Sequence, residues 1–373
     1  MATVTHHLQE KKPANLPTTM RAAVYRGIND VRVETVPVPK IGPGEVLIRV
    51  AACGVCGTDL KKIHTGSHSA PRIFGHETAG VIAAIGAGVE NFSVGDCVIV
   101  YHHTPCGHCY YCRKKTFAQC PEYKRVGCTA GFEPSGGGFA EYVRVMDWIV
   151  NRGLIRIPDG VPFEQAAFIE PVNTVLKGVR RLELAPDETV LVIGQGPIGI
   201  LHAALAARTG AKVLTSDLYP ERHAIAAHYG LHHPIDASKE DVVAAAQAAS
   251  EGRGADAVIL AVGGNALIRT AMNAARPGGR VLLFAQTQHG DATFDPADVC
   301  MDEKTLLGSY SSSFEMEPDV EDIVFGGYRS GFDLTRLISH RFPLEESVEA
   351  IRVASNPAAT SMKIFIYPSE AQV

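Results

Sequence analysis

Val190-Leu191-Val192-Ile193-Gly194-Gln195-Gly196-Pro197-Ile198-Gly199 is a short apolar run leading into a Gly-x-Gly-x-x-Gly turn. Four successive apolar residues read as a buried strand of a parallel sheet, covered on both faces. The glycine spacing then predicts a tight turn at Gly194, close backbone approach to a pyrophosphate at Gly196, and close helix–strand packing at Gly199. A helix opening at Pro197 and Ile198 would present its free N–H groups to the phosphates. Asp217 ends the next apolar run. A carboxylate there bonds both hydroxyls of an adenosine ribose and repels a 2′-phosphate, which favours NAD over NADP. Arg222 is read as stacking on the adenine.

Outward from this stretch the pattern repeats. Helices are expected over 198–209, 220–229, 239–249 and 266–275, and strands over 212–217, 257–262 and 280–285. Strands alternating with helices of this length predict βαβ units in a doubly wound parallel sheet. A further strand near 304–310 is expected at the sheet edge. Upstream, from Met20 to about Phe163, the chain is dense in Gly, Pro and short β-branched runs, with little helical periodicity. Strands over 46–50, 79–85 and 96–100 predict a β-rich, barrel-like lobe. Downstream, a helix over 344–354 and a strand over 362–367 are expected to return to that lobe. The expected organisation is a flexible extension over 1–19, a β-rich domain over 20–167 with an inserted lobe near 103–122, a dinucleotide-binding domain over 168–311, and a return segment over 312–373. The class is thus α/β plus β.

Composition bounds the function. A chain of 373 residues suits about two domains. With 46% hydrophobic and 20% charged residues it is an ordinary globular chain. A net charge of −5 supports neither a nucleic-acid nor an anionic-membrane partner. The longest apolar region, Val190 to Ala207, is broken by Gln195, Pro197, His202 and glycines, so it predicts no membrane span. The opening residues lack the apolar core of a signal peptide, and a cytoplasmic, reducing location is expected.

Reduced thiols suit metal better than disulfides. Cys106-Gly-His-Cys109-Tyr-Tyr-Cys112-x7-Cys120 has the spacing of a closed four-thiolate zinc site, which is structural and leaves no position for substrate. Cys53-Gly-Val-Cys56-Gly-Thr58-Asp59 is half of a zinc knuckle without its second half. Alone, Cys56 or His76 would read as a buried core residue. Taken with Glu170 at the junction of the two lobes, they offer a thiolate, an imidazole and a carboxylate. Three protein ligands with one open position make a catalytic zinc. Cys53, Cys97, Cys128 and Cys300 form no such group.

In this order, Cys-Gly-Thr-Asp, Gly-His-Glu, the four-cysteine loop, Glu-Pro, the glycine turn and its acidic residue, the chain resembles the zinc-dependent medium-chain dehydrogenase/reductase (alcohol dehydrogenase) superfamily. It is most similar to the polyol (sorbitol or iditol) and threonine dehydrogenase branch. The resemblance implies a GroES-like catalytic domain, a Rossmann coenzyme domain, about two zinc ions per chain, NAD as cofactor, and a homodimer or homotetramer. It implies that Cys56 and His76 bind the catalytic zinc, with Glu77 a direct or intermittent ligand and Glu170 binding the metal or holding its water. Asp59 would orient His76, and Thr58 would hydrogen-bond the substrate oxygen. Cys53 would be structural. Two departures stand out. Lys61 occupies the place of the relay histidine, leaving Lys61, His64 or water as the route for the proton. The stretch Gly308-Ser-Tyr310-Ser-Ser-Ser lacks the arginine of the polyol enzymes. Lys61 and Lys62 serve an anionic substrate group or are solvated surface charges. Pocket walls are expected around Tyr101, Phe132, His289 and Tyr310. The expected activity is hydride transfer between NAD and a secondary alcohol, polyol or sugar-like substrate. Alternatives are a non-catalytic NAD-binding or redox-sensing protein and an L-threonine-type amino-alcohol dehydrogenase. A zinc-free enone or quinone reductase would lack both cysteine sets.

Overall fold

The computed structural model describes residues 16–101, 104–124, 136–287 and 289–369. Residues 1–15, Cys128 and Phe132 lie outside these. The apolar stretch forms the strand Thr189–Ile193, every residue of it buried. Its alternation decides the layers: Val190 and Val192 enter the core on one face of the sheet, and Leu191 and Ile193 enter the core on the other. Six strands run parallel in the order Pro234–Asp236, Lys212–Asp217, Thr189–Ile193, Ala255–Leu260, Ala275–Leu283, Thr305–Gly308. The order reverses direction beside Thr189–Ile193, and that switch point opens the crevice where doubly wound sheets bind nucleotides.

The helix Pro197–Ala207 follows the glycine turn, with proline in its first turn where a missing N–H costs nothing. The helix expected to begin at Lys239 starts later, at Val242, because the side chain of Asp241 accepts the N–H groups of Val243 and Ala244 and caps it there. Two of the helices absent from the sequence reading bear on the site. Gly57–Thr65 begins directly after Cys56 and is closed by Gly66 in the left-handed conformation, φ 64°. Ile169–Arg180 is buried almost all round, with Pro171 accommodated in its first turn. Its polar residues Asn173, Thr174, Lys177 and Arg180 recur at helical spacing, so the pattern is amphipathic although most of the helix is buried.

The β-rich lobe is built on Val46–Gly54, which pairs antiparallel with Glu77–Ile85, Tyr142–Val145 and the last strand, Lys363–Tyr367. Phe365 faces Gly54 and Ile366 faces Cys53. The strand Lys363–Tyr367 thus lies against the end of the strand that leads into Cys56. Among the described residues, no helix is long and apolar enough to cross a membrane.

Candidate active site and metal centres

Cys56 sits between the strand Val46–Gly54 and the helix Gly57–Thr65. Its backbone N–H donates to Asp59 Oδ2 at 3.3 Å, which fixes the first turn and buries Asp59 completely. The other oxygen of Asp59 lies 3.1 Å from His76 Nδ1. That contact holds the ring so that Nε2 faces Cys56 and Thr58. Thr58 Oγ1 is 3.3 Å from Cys56 Sγ and 3.5 Å from His76 Nε2. Burial alone would lower the pKa of His76, but Asp59 and Cys56 overcome it and hold the pKa well above its ordinary value. Burial likewise opposes ionisation of Asp59, and His76 beside it reverses the sign, leaving that pKa below the usual carboxylate range.

The sulfur of Cys56, a ring nitrogen of His76 and a carboxylate oxygen of Glu77 all lie within 4.8 Å of one another. Glu170 lines the same cavity but is not part of this tight group. Burial, reinforced by Glu77, raises the pKa of Glu170 to about 7 even though His76 pulls the other way. A soft thiolate, an imidazole and a carboxylate converging at one point suit a borderline-soft divalent cation such as zinc.

One participant escaped the sequence reading. Lys363 Nζ stands 2.5 Å from both carboxylate oxygens of Glu77, deep in the interior. Gly54 makes room for the pair: a Cβ there would sit 2.0 Å from Glu77 Oε2 and 2.9 Å from Lys363 Cε. The available signal was one charge in an otherwise apolar strand, Met362-Lys363-Ile-Phe-Ile-Tyr367.

The four cysteines of the inserted loop place their sulfurs within 4.8 Å of one another, Cys106 to Cys112 at 3.9 Å and Cys109 to Cys112 at 3.5 Å. A disulfide needs about 2.05 Å. Four thiolates tetrahedral at about 2.3 Å from a zinc ion stand about 3.8 Å apart, and the observed spacing matches that. Backbone N–H groups of Cys109 and Cys106 donate to Cys106 Sγ and Cys120 Sγ, each at 3.4 Å. The backbone N–H of His108 leads in lowering the pKa of Cys106 to about 6, while burial raises that of Cys112 to about 12. A divalent cation is what allows all four to ionise together. Phe117, Tyr123 and Phe314 form the small core of this lobe.

At the glycine turn, Gly194 has φ 95° and a Cβ on Gly199 would lie 1.8 Å from the carbonyl oxygen of Gly194. A Cβ on Gly196 would meet nothing within 4 Å. Space in the fold therefore does not demand glycine at 196, whereas a pyrophosphate approaching the backbone does. Asp217 accepts the N–H of Gln195 at 2.6 Å and of Tyr219 at 2.9 Å. Arg222 pairs with Asp217 at 3.2 Å, lies 4.8 Å over the Tyr219 ring, and donates to the carbonyl of Ala359. In this arrangement Arg222 stacks on a tyrosine of its own chain.

Two connected cavities lead to the Cys56 group. The inner one, of about 390 Å³, is lined by Cys56, Thr58, His76, Glu77, Glu170 and Ile198, with Phe284 and Tyr310 among its walls. The outer one, of about 1000 Å³, shares Thr58, Lys61, Lys62 and Tyr310 with it and includes His289. Lys61 donates to the carbonyl of Thr287. His64 instead bonds Asn29 and Ser355 and lines neither cavity, and Tyr101 is wholly buried outside both.

Comparison with known proteins agrees with this architecture. The sequence profile of the alcohol dehydrogenase GroES-like domain matches residues 42–159, and that of zinc-binding dehydrogenases matches 197–325. The chain is 30% identical to (R,R)-butanediol dehydrogenase of Bacillus subtilis, over 94% of its own length and 100% of the relative's. It is 29% identical to sorbitol dehydrogenase of the same organism, over 95% and 99%. Among solved structures, a zinc-binding dehydrogenase from Sinorhizobium meliloti bound to NADP superposes with a TM-score of 0.84 at 30% identity, covering 94% of this chain and 100% of that one. On sequence and fold together, the chain is an oxidoreductase of the zinc-dependent medium-chain dehydrogenase/reductase superfamily, the zinc-type alcohol dehydrogenases.

Proposed function

We propose that the protein oxidises a secondary alcohol, polyol or sugar-like substrate with NAD⁺, and reduces the matching ketone or aldehyde in reverse. The observation that carries this is the Cys56–His76–Glu77 group at the floor of a cavity whose wall, Ile198, belongs to the glycine-turn helix. A zinc ion held there would lower the pKa of the substrate hydroxyl, and a nicotinamide would accept the hydride.

The chain's own residues do the rest. Asp59 fixes the His76 tautomer, leaving Nε2 free to ligate. Thr58 Oγ1, beside both Cys56 and His76, receives the hydroxyl proton, which leaves through water past Lys61. Lys363 restrains Glu77, making it an intermittent ligand, and Glu170 holds the metal or its water. Asp217 binds the ribose hydroxyls and selects NAD, with Arg222 at its flank. Cys106, Cys109, Cys112 and Cys120 hold a second, structural zinc. We further assign a homodimer or larger homo-oligomer through the edge strand Thr305–Gly308, near which Val299 and Met301 are 41% and 81% exposed. The location is taken to be cytoplasmic.

NADH formation across a panel of secondary alcohols, polyols, sugar alcohols and L-threonine tests the reading. Turnover of at least one, abolished by Thr58→Val, is expected. Cofactor binding without turnover of any member by the zinc-loaded protein would contradict it.

A further inference from the structure

The outer cavity collects positive charge from three elements distant in sequence. Lys61 and Lys62 come from the helix after Cys56, Lys115 from the cysteine loop, and Lys177 and Arg181 from the helix Ile169–Arg180 and its end. No Asp or Glu lines it among the described residues, although the chain as a whole carries a net charge of −5. Lys115 pairs with Glu315 at 3.1 Å. The other four form no ion pair with a described carboxylate. Lys61 and Lys177 donate to backbone carbonyls instead, Lys177 to Tyr310 at 2.8 Å. These bonds fix the ammonium groups in place without neutralising them. Burial, with Arg181 nearby, lowers the pKa of Lys177 to about 8, a strain that an opposing anion would relieve.

We propose that the substrate is an alcohol bearing an anionic group, a phosphate monoester or a carboxylate, whose charge rests in this outer cavity while its carbinol reaches the inner one. The proposal rests on the dehydrogenase reading above. A pocket lined by one sign of charge concentrates ligands of the opposite sign and speeds their capture, and ammonium and guanidinium donors make charge-assisted bonds to them. Solvated surface cations would be scattered; these converge on a space continuous with the metal ligands through Thr58, Lys61, Lys62 and Tyr310.

The test uses the zinc-loaded, NAD⁺-saturated protein. Its arms are sorbitol, sorbitol 6-phosphate and gluconate as substrates, and inorganic phosphate as a probe by calorimetry. We expect one anionic arm to exceed the neutral one in kcat/KM by roughly tenfold or more, with a rate that falls as salt rises. Inorganic phosphate should bind and compete with substrate. Arg181→Gln and Lys62→Gln, whose side chains make no hydrogen bond among the described residues, with Lys62 Nζ 5.7 Å from the Phe74 ring centroid, should raise KM for the anionic arm roughly tenfold more than for the neutral one. Equal rates on neutral and anionic arms, with no phosphate binding, would overturn the anion assignment and leave the dehydrogenase standing. Phosphate binding that both variants leave unaltered would also overturn it. No turnover of any arm, with phosphate still bound in the outer cavity, would instead sink the dehydrogenase reading.

Discussion

Lys363 and Asp217 carry the most consequence per residue. Lys363 is buried against Glu77, and a buried charge left alone is costly, of the order of 3–5 kcal/mol when one partner is removed. Lys363→Met should therefore lower stability by several kcal/mol in urea unfolding, while Lys363→Met combined with Glu77→Gln should recover most of it. Stability unchanged in the single variant would mean that water reaches the pair. In the proposed reading, Asp217 repels a 2′-phosphate. Asp217→Gly should shift the NADP over NAD preference by roughly a hundredfold, because it removes the repulsion and frees Arg222 to bond the phosphate. A preference ratio measured by initial rates that stays put would shift the discrimination elsewhere. Residues of this kind were unequally legible. Asp217 announces itself by distance from the glycine turn. The pairing of Lys363 with Glu77 spans most of the chain, and no local pattern encodes which strand the last one will meet.

At the scale of elements, the helix Pro197–Ala207 shows what local reading gives and what it hides. Its start was legible from glycine spacing, and Gly194 and Gly199 behave as steric constraints require. His202 within it was readable only as an interruption of an apolar run. It is fully buried, neither ring nitrogen has a hydrogen-bond partner among the described residues, and Phe284 lies edge-on at 4.4 Å. Burial lowers its pKa to about 3. The unfolded chain binds a proton here below about pH 6.5 and the folded one does not, so stability is lost as pH falls from about 6.5 toward 3. At pH 5 the cost is about 2 kcal/mol. His202→Leu in the zinc-saturated protein should flatten the dependence of unfolding free energy on pH between about 7 and 5 by that amount; an unchanged slope would show that the ring is hydrated. The helices Gly57–Thr65 and Ile169–Arg180 were missed for different reasons. The first is short and buries only Asp59 and Ile63. The second carries polar residues at helical spacing, Asn173, Thr174, Lys177 and Arg180, but Pro171 in its first turn reads as a break.

For the molecule as a whole, the βαβ rhythm made the parallel sheet legible, and the cysteine spacing made the inserted loop legible, because both are set by local geometry. The cavities were legible only in part: His289 and Tyr310 line them as expected, whereas Tyr101 does not, and Lys115 and Lys177 reach them from segments distant in sequence. In the proposed reading the two metal sites divide the labour, one scaffolding and one catalytic. Zinc content, NADH formation and thermal stability of the wild type, Cys56→Ser and Cys112→Ser test it most directly. The wild type should hold about two zinc ions and each variant about one. Cys56→Ser should lose turnover yet bind NADH and melt close to the wild type, whereas Cys112→Ser should melt several degrees lower. A fully stable Cys112→Ser protein without turnover, or a Cys56→Ser protein that still turns over, would contradict that division.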